Sequence, residues 1–411
     1  MSTSAHDVVI IGAGLAGLRA AQVLSGRGLD VVVVDQAGHL GGRMHSFDLD
    51  GFVIDEGFQL INPSYPELRA TGVVKSLDLR KFPGLLTYVG TDTRWTLADP
   101  RRFPLHSLAA FVAGHPSPRD AWRLTRLFAG ARFASARHLL AVPDSSTRTG
   151  LLNAGITEGT IDDLLAPFLR GTLLDDNLDT SWRYTRLLIK SFASGLPSTP
   201  AAGVRQLPQA LRESMPDVNV RLGERVLRVG PTSLQVDAGE LHARAVIVAT
   251  DLEGATTLLD APSPGWRSTT TWWFSTPRVV QGERLRLDVG PRLVASMLDL
   301  ASVAPERAPQ LRSLIAVAAN GLHEERRNRD IASEVARFYE LDCRDVELLI
   351  RTPVEHALPR VGLPLNLARS PRRGELFVAG DYLQTPSIQG ALVSGRRAAS
   401  AVLDVLGLGA T

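Results

Sequence analysis

Val8-Val9-Ile10-Ile11-Gly12-Ala13-Gly14-Leu15-Ala16-Gly17-Leu18 is the stretch on which the fold turns. The apolar, β-branched run Val8–Ile11 predicts a buried strand. A G-x-G-x-x-G turn follows at once, and Leu18-Arg19-Ala20-Ala21-Gln22-Val23-Leu24 predicts a helix. That order suits a dinucleotide. Gly12 permits the tight turn, Gly14 and its neighbour Ala13 let backbone approach a pyrophosphate, and Gly17 lets helix and strand pack closely. The helix start then offers free N–H groups and the positive dipole end to the phosphates. Val31-Val32-Val33-Val34-Asp35 is a second buried strand ending in an acid, 23 residues after Gly12. There a carboxylate accepts hydrogen bonds from an adenosine ribose. An Asp at this point disfavours a 2′-phosphate, and hence NADP, but does not separate NAD from FAD.

The whole chain narrows the possibilities. Its 411 residues exceed one ordinary α/β domain, which predicts two. A formal net charge of +2 gives no general affinity for nucleic acid. Three of the 45 basic residues are Lys (Lys75, Lys81, Lys190), the others Arg. With one cysteine, Cys343, neither a disulfide framework nor a thiolate metal site can form within the chain. A cytoplasmic location is expected. With few residues before Val8 no signal peptide is expected, and with no apolar run of about 18 residues no membrane-spanning helix is expected.

After the second strand comes Gly38-His39-Leu40-Gly41-Gly42-Arg43, a loop in which Gly41-Gly42 lets backbone come close and Arg43 would set a permanent charge beside the pyrophosphate. Asp50-Gly51 predicts a hairpin turn between Phe47-Asp48-Leu49 and Phe52-Val53-Ile54. Asp55-Glu56-Gly57-Phe58-Gln59 follows. Near the C-terminus, Glu375-Leu376-Phe377-Val378-Ala379-Gly380-Asp381 predicts a strand ending in Gly-Asp, and Ser387-Ile388-Gln389-Gly390-Ala391 opens a helix.

A dinucleotide turn, an acid closing the second strand, G-G-R, a D-x-G-F segment and this C-terminal element together resemble the FAD-dependent superfamily of flavin amine oxidases, protoporphyrinogen oxidases and phytoene-desaturase-like enzymes. The resemblance implies an α/β protein: a Rossmann-like FAD-binding domain with an inserted α+β substrate domain, in the p-hydroxybenzoate-hydroxylase or amine-oxidase topology. It implies that Asp381 holds the ribityl and phosphate region, and that Ile388, Gln389 and Ala391 point a helix N-terminus at the flavin's pyrimidine carbonyl. Val220–Val229 reads as one alternating strand, and backbone near Val226 would contact the adenine. Ala245–Thr250 reads as a strand of the core sheet. The expected division is 1–80, 200–265 and 350–411 for FAD, and 81–199 and 266–349 for the substrate.

Within the latter, Asp162–Gly171 resembles a substrate-domain helix, and Gly203–Pro208 the return to the FAD domain. Ser268–Ser275 predicts a strand flooring the pocket, with Trp272 and Trp273 on opposite faces so that only one can line it. Leu314–Val317 predicts another strand, followed by a helix carrying Glu334, Arg337 and Tyr339. Residues 101–141 carry Arg101, Arg102, Arg119, Arg123, Arg126, Arg132 and Arg137 against one acid, Asp120. Phe103, Phe111, Trp122, Leu127, Phe128 and Phe133 are interleaved with them. This basic amphipathic region reads either as a helical cover whose Arg stems shield the core or as a peripheral contact with anionic lipid.

No second G-x-G-x-x-G occurs, so a built-in pyridine-nucleotide site is not expected. Covalent members of the superfamily tie flavin to Cys or His, and Cys343 is far in sequence from the flavin helix, so FAD is expected to be non-covalent. Amine oxidases use a late Lys and an aromatic residue three before the last Gly-Ala. Here no Lys follows Lys190, and that position is Ser387. The expectation is hydride removal from carbon of a small hydrophobic or polyunsaturated substrate, with Phe58, Gln59 and His356 as candidates beside the flavin ring. The rivals are an amine oxidase with an atypical pocket, a binding protein on this scaffold without turnover (as the GDP-dissociation inhibitors are), and an NAD-dependent dehydrogenase.

Overall fold

The computed structural model describes residues 6–409, apart from 99–101, 104, 107–109, 111, 113, 115, 261–262, 279–280, 291–292 and 368. Arg101 and Phe111 lie outside the described residues. The first sheet has eight strands. His6–Ile11 lies at its centre, parallel to Val31–Asp35 on one side and to Gly239–Val248 on the other. Asn219–Leu222 and Leu376–Val378 extend it in parallel. The Val8–Ile11 and Val31–Val34 runs are apolar throughout because both faces are covered. Val8, Ile10, Val31 and Val33 pack with Leu18 and Leu24 of helix Leu15–Ser25 and with Leu392 of helix Ile388–Val405. Val9, Ile11, Val32 and Val34 face Leu234, Leu241 and Ala255 instead. The two helices cross so closely that a Cβ on Gly395 would stand 2.1 Å from the Ala16 carbonyl oxygen.

The second sheet has seven strands. From one edge to the other they are Glu347–Pro359, Trp266–Pro277, Arg312–Asn320, Ser296–Asp299, Leu285–Asp288, Leu86–Val89 and Arg94–Leu97. Helix Asn328–Tyr339 covers one of its faces. Helices Pro118–Phe133, Thr147–Asn153, Ala166–Leu173 and Trp182–Ser194 form a layer with its own core. Arg267 fastens this layer to the sheet, donating to the Leu174 carbonyl at 2.7 Å and to Asp175 at 2.9 Å. Asp50 and Gly51 both adopt positive φ, 48° and 83°, in the hairpin Ser46–Leu49/Phe52–Asp55, as its turn requires.

Several expectations change. The stretch 220–229 is not one strand: Asn219–Leu222 ends at Gly223 (φ +73°), and Val226–Val229 belongs to an antiparallel arm. Asp162–Gly171 spans a wide helical turn, Ile161–Leu165, and helix Ala166–Leu173. Residues 350–359 sit in the second sheet, because strand Glu347–Pro359 pairs with Trp266–Pro277 along its length. Trp272 and Trp273 do face opposite ways, yet neither lines the pocket. Trp272 is buried against Ile331 and Phe338, and Trp273 under Phe52 and Ile54 of the hairpin.

Candidate functional site

The opening turn has the geometry a dinucleotide cradle needs. Gly12 holds φ +111°, and a Cβ there would stand 2.6 Å from the Ala249 carbonyl oxygen. A Cβ on Gly17 would stand 1.9 Å from the Gly12 oxygen. Around Gly14 a Cβ would meet nothing within 4 Å, because that side opens into a cavity. Helix Leu15–Ser25 starts there with no side-chain cap and no acid in its first turn, so its free N–H groups face the opening.

This cavity, of about 1840 Å³, runs without a break from the acid end of the first sheet to the helical layer. Asp35, Gln36, Ala37, Glu224, Arg225 and Val226 line its first end. Asp35 accepts from Ala13 N at 2.6 Å and Ala37 N at 2.8 Å, which fixes its carboxylate and leaves further lone pairs for ribose hydroxyls. Glu224, absent from the sequence reading, presents a buried Oε1 with no hydrogen-bond partner. Nothing local in the sequence marks it, since only the break at Gly223 turns it towards Asp35.

Gly12, Gly14, Gly42, Arg43, Gly380 and Asp381 line the middle. Arg43 Nη2 donates to Asp381 Oδ1 at 2.7 Å and Nη1 to the Ala357 carbonyl at 2.8 Å. Its guanidinium lies 5.6 Å from the Trp266 ring centre. Burial disfavours the Arg43 charge, but the Asp381 carboxylate outweighs it and raises the Arg43 pKa. Two of its donors are thus engaged within the protein, so Arg43 braces the G-G-R loop against the Gly-Asp turn while keeping its charge on the wall. Gly41 also lines the cavity, but its constraint is packing: a Cβ would stand 2.6 Å from Pro208 Cγ.

Ser387, Ile388 and Ala391 bring the last helix to the cavity, with Ser387 Oγ accepting from Gly390 N at 3.0 Å. Three predicted cofactor residues do not line it. Ala13 spends its N–H on Asp35, Gly17 is packed against Gly12, and Gln389 Oε1 accepts from Glu67 N at 3.0 Å. The cradle fits FAD. Its adenosine end has a fixed carboxylate and an orphaned acceptor, its centre has backbone N–H groups, and its far end has a helix N-terminus.

Phe58, Gln59 and His356 all border the next part of the cavity. Phe58 N donates to Thr271 Oγ1 at 3.2 Å, and Gln59 Nε2 to the Arg43 carbonyl at 2.8 Å, so Gln59 acts as a strut. His356 stacks on Trp266, with ring centres 4.8 Å apart and planes at 17°. Tyr65 and Tyr184 line the same region. Burial pushes the Tyr65 phenol up to about 12, and Tyr184 donates to the Pro386 carbonyl at 3.0 Å.

Beyond them the wall is mostly apolar, with Leu124 and Phe128 from helix Pro118–Phe133, Phe168, Leu188 and Phe192 above, and sheet residues below, interrupted by Thr125, Arg132, Thr172 and Glu283. The sequence placed Phe128 in an amphipathic region and Phe168 within the helical stretch Asp162–Gly171, neither as a cavity residue. Their i, i+4 partners Leu124 and Leu164 carry the signal that marks this lining face. Among the described residues no group of His, Cys, Asp and Glu is arranged to hold a metal, and Cys343 is exposed.

A strand–turn–helix cradle joined to a distant Gly-Asp and helix start, above a second sheet, defines an FAD-type oxidoreductase. The sequence matches the flavin containing amine oxidoreductases over residues 15–403, and the chain belongs to that family. A hydroxyneurosporene desaturase from Rubrivivax gelatinosus is 50% identical over 52 residues, 13% of this chain and 10% of the relative. A mitochondrial protoporphyrinogen oxidase from Nicotiana tabacum is 28% identical over 186 residues, 41% of this chain and 33% of the relative. The aligned stretches therefore span a third or less of these relatives' lengths. An oxidoreductase structure from Methanosarcina mazei superposes with a TM-score of 0.73 at 15% identity, covering 98% of this chain and 100% of the other. A redesigned putrescine oxidase gives 0.72 at 18%, covering 97% and 99%. At these identities the likeness is one of fold.

Proposed function

We propose that this oxidoreductase holds FAD non-covalently and removes hydride from carbon of an elongated hydrophobic or polyunsaturated molecule. The observation that carries the reading is the wall of the substrate end. From Thr269 across Ala318, Ser296, Leu298, Leu287 and Leu86, the sheet offers the cavity two hydroxyls and otherwise hydrocarbon. No lysine lines the cavity among the described residues. Bound FAD supplies the hydride acceptor. The chain's own part is to place a substrate carbon beside Phe58, Thr269 and His356, keep water out with the helical layer, and stabilise negative charge with the N–H groups of Ile388 and Gln389, since those of Gly390 and Ala391 donate to Ser387. Hydride loss from carbon needs no strong base at the reacting atom, in keeping with this lining.

An amine oxidase with an atypical pocket is the second reading. It is favoured by Tyr65 and Tyr184, two aromatic faces near the flavin helix that can receive a cation. Anaerobic mixing of the yellow protein with a partly saturated polyene precursor and with diamines tests the two. Bleaching of flavin absorbance by the polyene precursor alone supports the proposal. Bleaching by diamines alone overturns it, and bleaching by neither favours a binding protein.

We also propose that the protein is cytoplasmic and touches anionic membranes through helix Pro118–Phe133. Among the described residues no helix is long and apolar enough to cross a membrane. Yet Trp122 and Phe133 are 63% and 83% exposed, beside the exposed Arg119, Arg126 and Arg132, while Asp120 is buried. The same helix lines the cavity through Ala121, Leu124 and Phe128 and, at its end, through Arg132 and Phe133 themselves, so an apolar substrate dissolved in lipid would enter at the contact. Co-sedimentation with phosphatidylglycerol vesicles but not phosphatidylcholine vesicles is expected, and its absence at low salt would remove this part of the proposal.

A further inference from the structure

The cavity crosses the second sheet strand by strand. His356 and Val354 line it from Glu347–Pro359, Thr269 from Trp266–Pro277, Ala318 from Arg312–Asn320 and Ser296 from Ser296–Asp299. Leu285, Leu86 and Leu97 continue the floor to the opposite edge. On these floor strands beyond His356 and their flanking turns, one charged side chain among the described residues faces the cavity: Glu283, two residues before strand Leu285–Asp288. That strand is four spacings from Glu347–Pro359 in the sheet order, roughly 19 Å at the usual interstrand distance. The side chain is 32% exposed, and among the described residues its paired cation is Arg284, with Nε at 4.0 Å. That contact is weak. Arg284 directs Nη1 to Thr96 Oγ1 at 3.5 Å and pairs Nη2 with His106 Nε2 at 3.4 Å. No hydrogen bond to the Glu283 carboxylate is formed by the described residues.

We propose that Glu283 recognises the far end of the substrate, and that this end carries a hydrogen-bond donor, a hydroxyl or an ammonium group, on an otherwise apolar body. The inference rests on the elongated apolar substrate proposed above. This carboxylate borders a largely hydrocarbon wall and accepts no hydrogen bond from the described residues, so a donor reaching it gains a charge-assisted hydrogen bond, whereas an anionic end is repelled. The distance sets the register. A molecule whose donor end meets Glu283 places a carbon roughly 14 to 19 Å away, between Thr269, three strand spacings off, and His356, four spacings off, at the flavin end.

Equilibrium binding tests this without turnover. The probes are diphenylhexatriene and its hydroxymethyl, aminomethyl and carboxyl derivatives, followed by their fluorescence in FAD-loaded protein. The wild type is expected to bind the hydroxymethyl and aminomethyl probes about tenfold or more tighter than the parent, and the carboxyl probe more weakly. Glu283→Leu removes both preferences, with flavin content unchanged. Glu283→Gln separates the two donors: it keeps an acceptor and hence the hydroxymethyl preference, but loses the aminomethyl one. If the parent binds and the wild type prefers neither donor, or Glu283→Leu leaves the preferences intact, Glu283 has no such role. If no probe binds, the parent included, the apolar-substrate reading fails with it.

Discussion

Arg43 and Asp381 meet at 2.7 Å across 338 residues of sequence, and this pair joins the two halves of the cofactor cradle. Asp381 is nearly inaccessible while Arg43 stays on the cavity wall. Removing the carboxylate leaves a half-buried guanidinium held only by the Ala357 carbonyl and Trp266. Asp381→Ala is therefore expected to weaken FAD binding by about 2–5 kcal/mol, the range for truncating one partner of a buried charge pair. Arg43→Lys is expected to cost less but still measurably, because an ammonium cannot bridge Asp381 and Ala357 as a planar fork does. Flavin fluorescence titration of the apoprotein reads both, and an unchanged dissociation constant for Asp381→Ala would dismiss the brace.

At the adenosine end, Asp35→Ala is expected to weaken FAD binding by roughly 1–3 kcal/mol, the order for losing a charge-assisted hydrogen bond. The Ala13 and Ala37 N–H groups also lose their acceptor, so part of the loss comes from a looser turn. Glu224→Gln probes the orphaned Oε1. If both carboxylates hold ribose hydroxyls, the double variant loses less than the sum of the single losses, since shared partners couple. Strict additivity would place Glu224 outside the adenosine site.

Asp55 and Arg307 are both 0% exposed and lie 2.9 Å apart. Arg307 also donates to the Val53 carbonyl and to Thr199 Oγ1, both at 2.8 Å, and Asp55 Oδ1 accepts from Ser46 Oγ at 2.7 Å and Val204 N at 3.1 Å. Arg307→Met strands the carboxylate and is expected to destabilise the fold by about 3–5 kcal/mol. Thermal unfolding of the holoprotein checks it. Asp55→Asn in the Arg307→Met background should recover part of the loss, and a further drop would contradict the charge argument.

Asp299 lies in the second sheet's core, and burial pushes its carboxyl up to about 6 despite hydrogen bonds from Leu314 N and Ala301 N. The unfolded chain releases this proton near pH 4. Between about pH 4 and 6 the native state therefore binds more protons than the unfolded state, and stability falls as pH rises through that window. Above it the loss is complete and the contribution is flat. Asp299→Asn is expected to remove this slope in urea unfolding followed from pH 4 to 7. An identical slope in the variant would assign it to other groups.

The local signals were legible wherever a short run of sequence dictates its own geometry. The Val8–Gly17 unit, the Asp50-Gly51 hairpin and the Gly380-Asp381 turn with its following helix were all readable, because chain neighbours set their shape. What escaped depends on docking between distant segments. Gln389 lies at a helix start that faces the cavity, yet its amide turns to Glu67. Trp273 shares a face with Thr269, but the hairpin covers the one and leaves the other open. In the helical layer the sequence marked 101–141 as amphipathic, without showing that part of its apolar face would border a space rather than a core.

That space permits a separate test of the substrate end. Ala318 lies on the cavity floor, where added volume enters open room instead of a packed interior. Overpacking a filled core typically costs about 1–3 kcal/mol, but Ala318→Trp should leave the melting temperature and flavin content close to those of the wild type. The indole would instead occupy the passage between Thr269 and Leu298. Polyene binding and turnover should then fall to background, while Ala318→Val gives a partial loss. Diamine oxidation, if the protein had it, would need only the flavin end near Tyr65 and Tyr184 and should survive. A plugged variant that still dehydrogenates a long polyene would show that the substrate does not lie across the sheet.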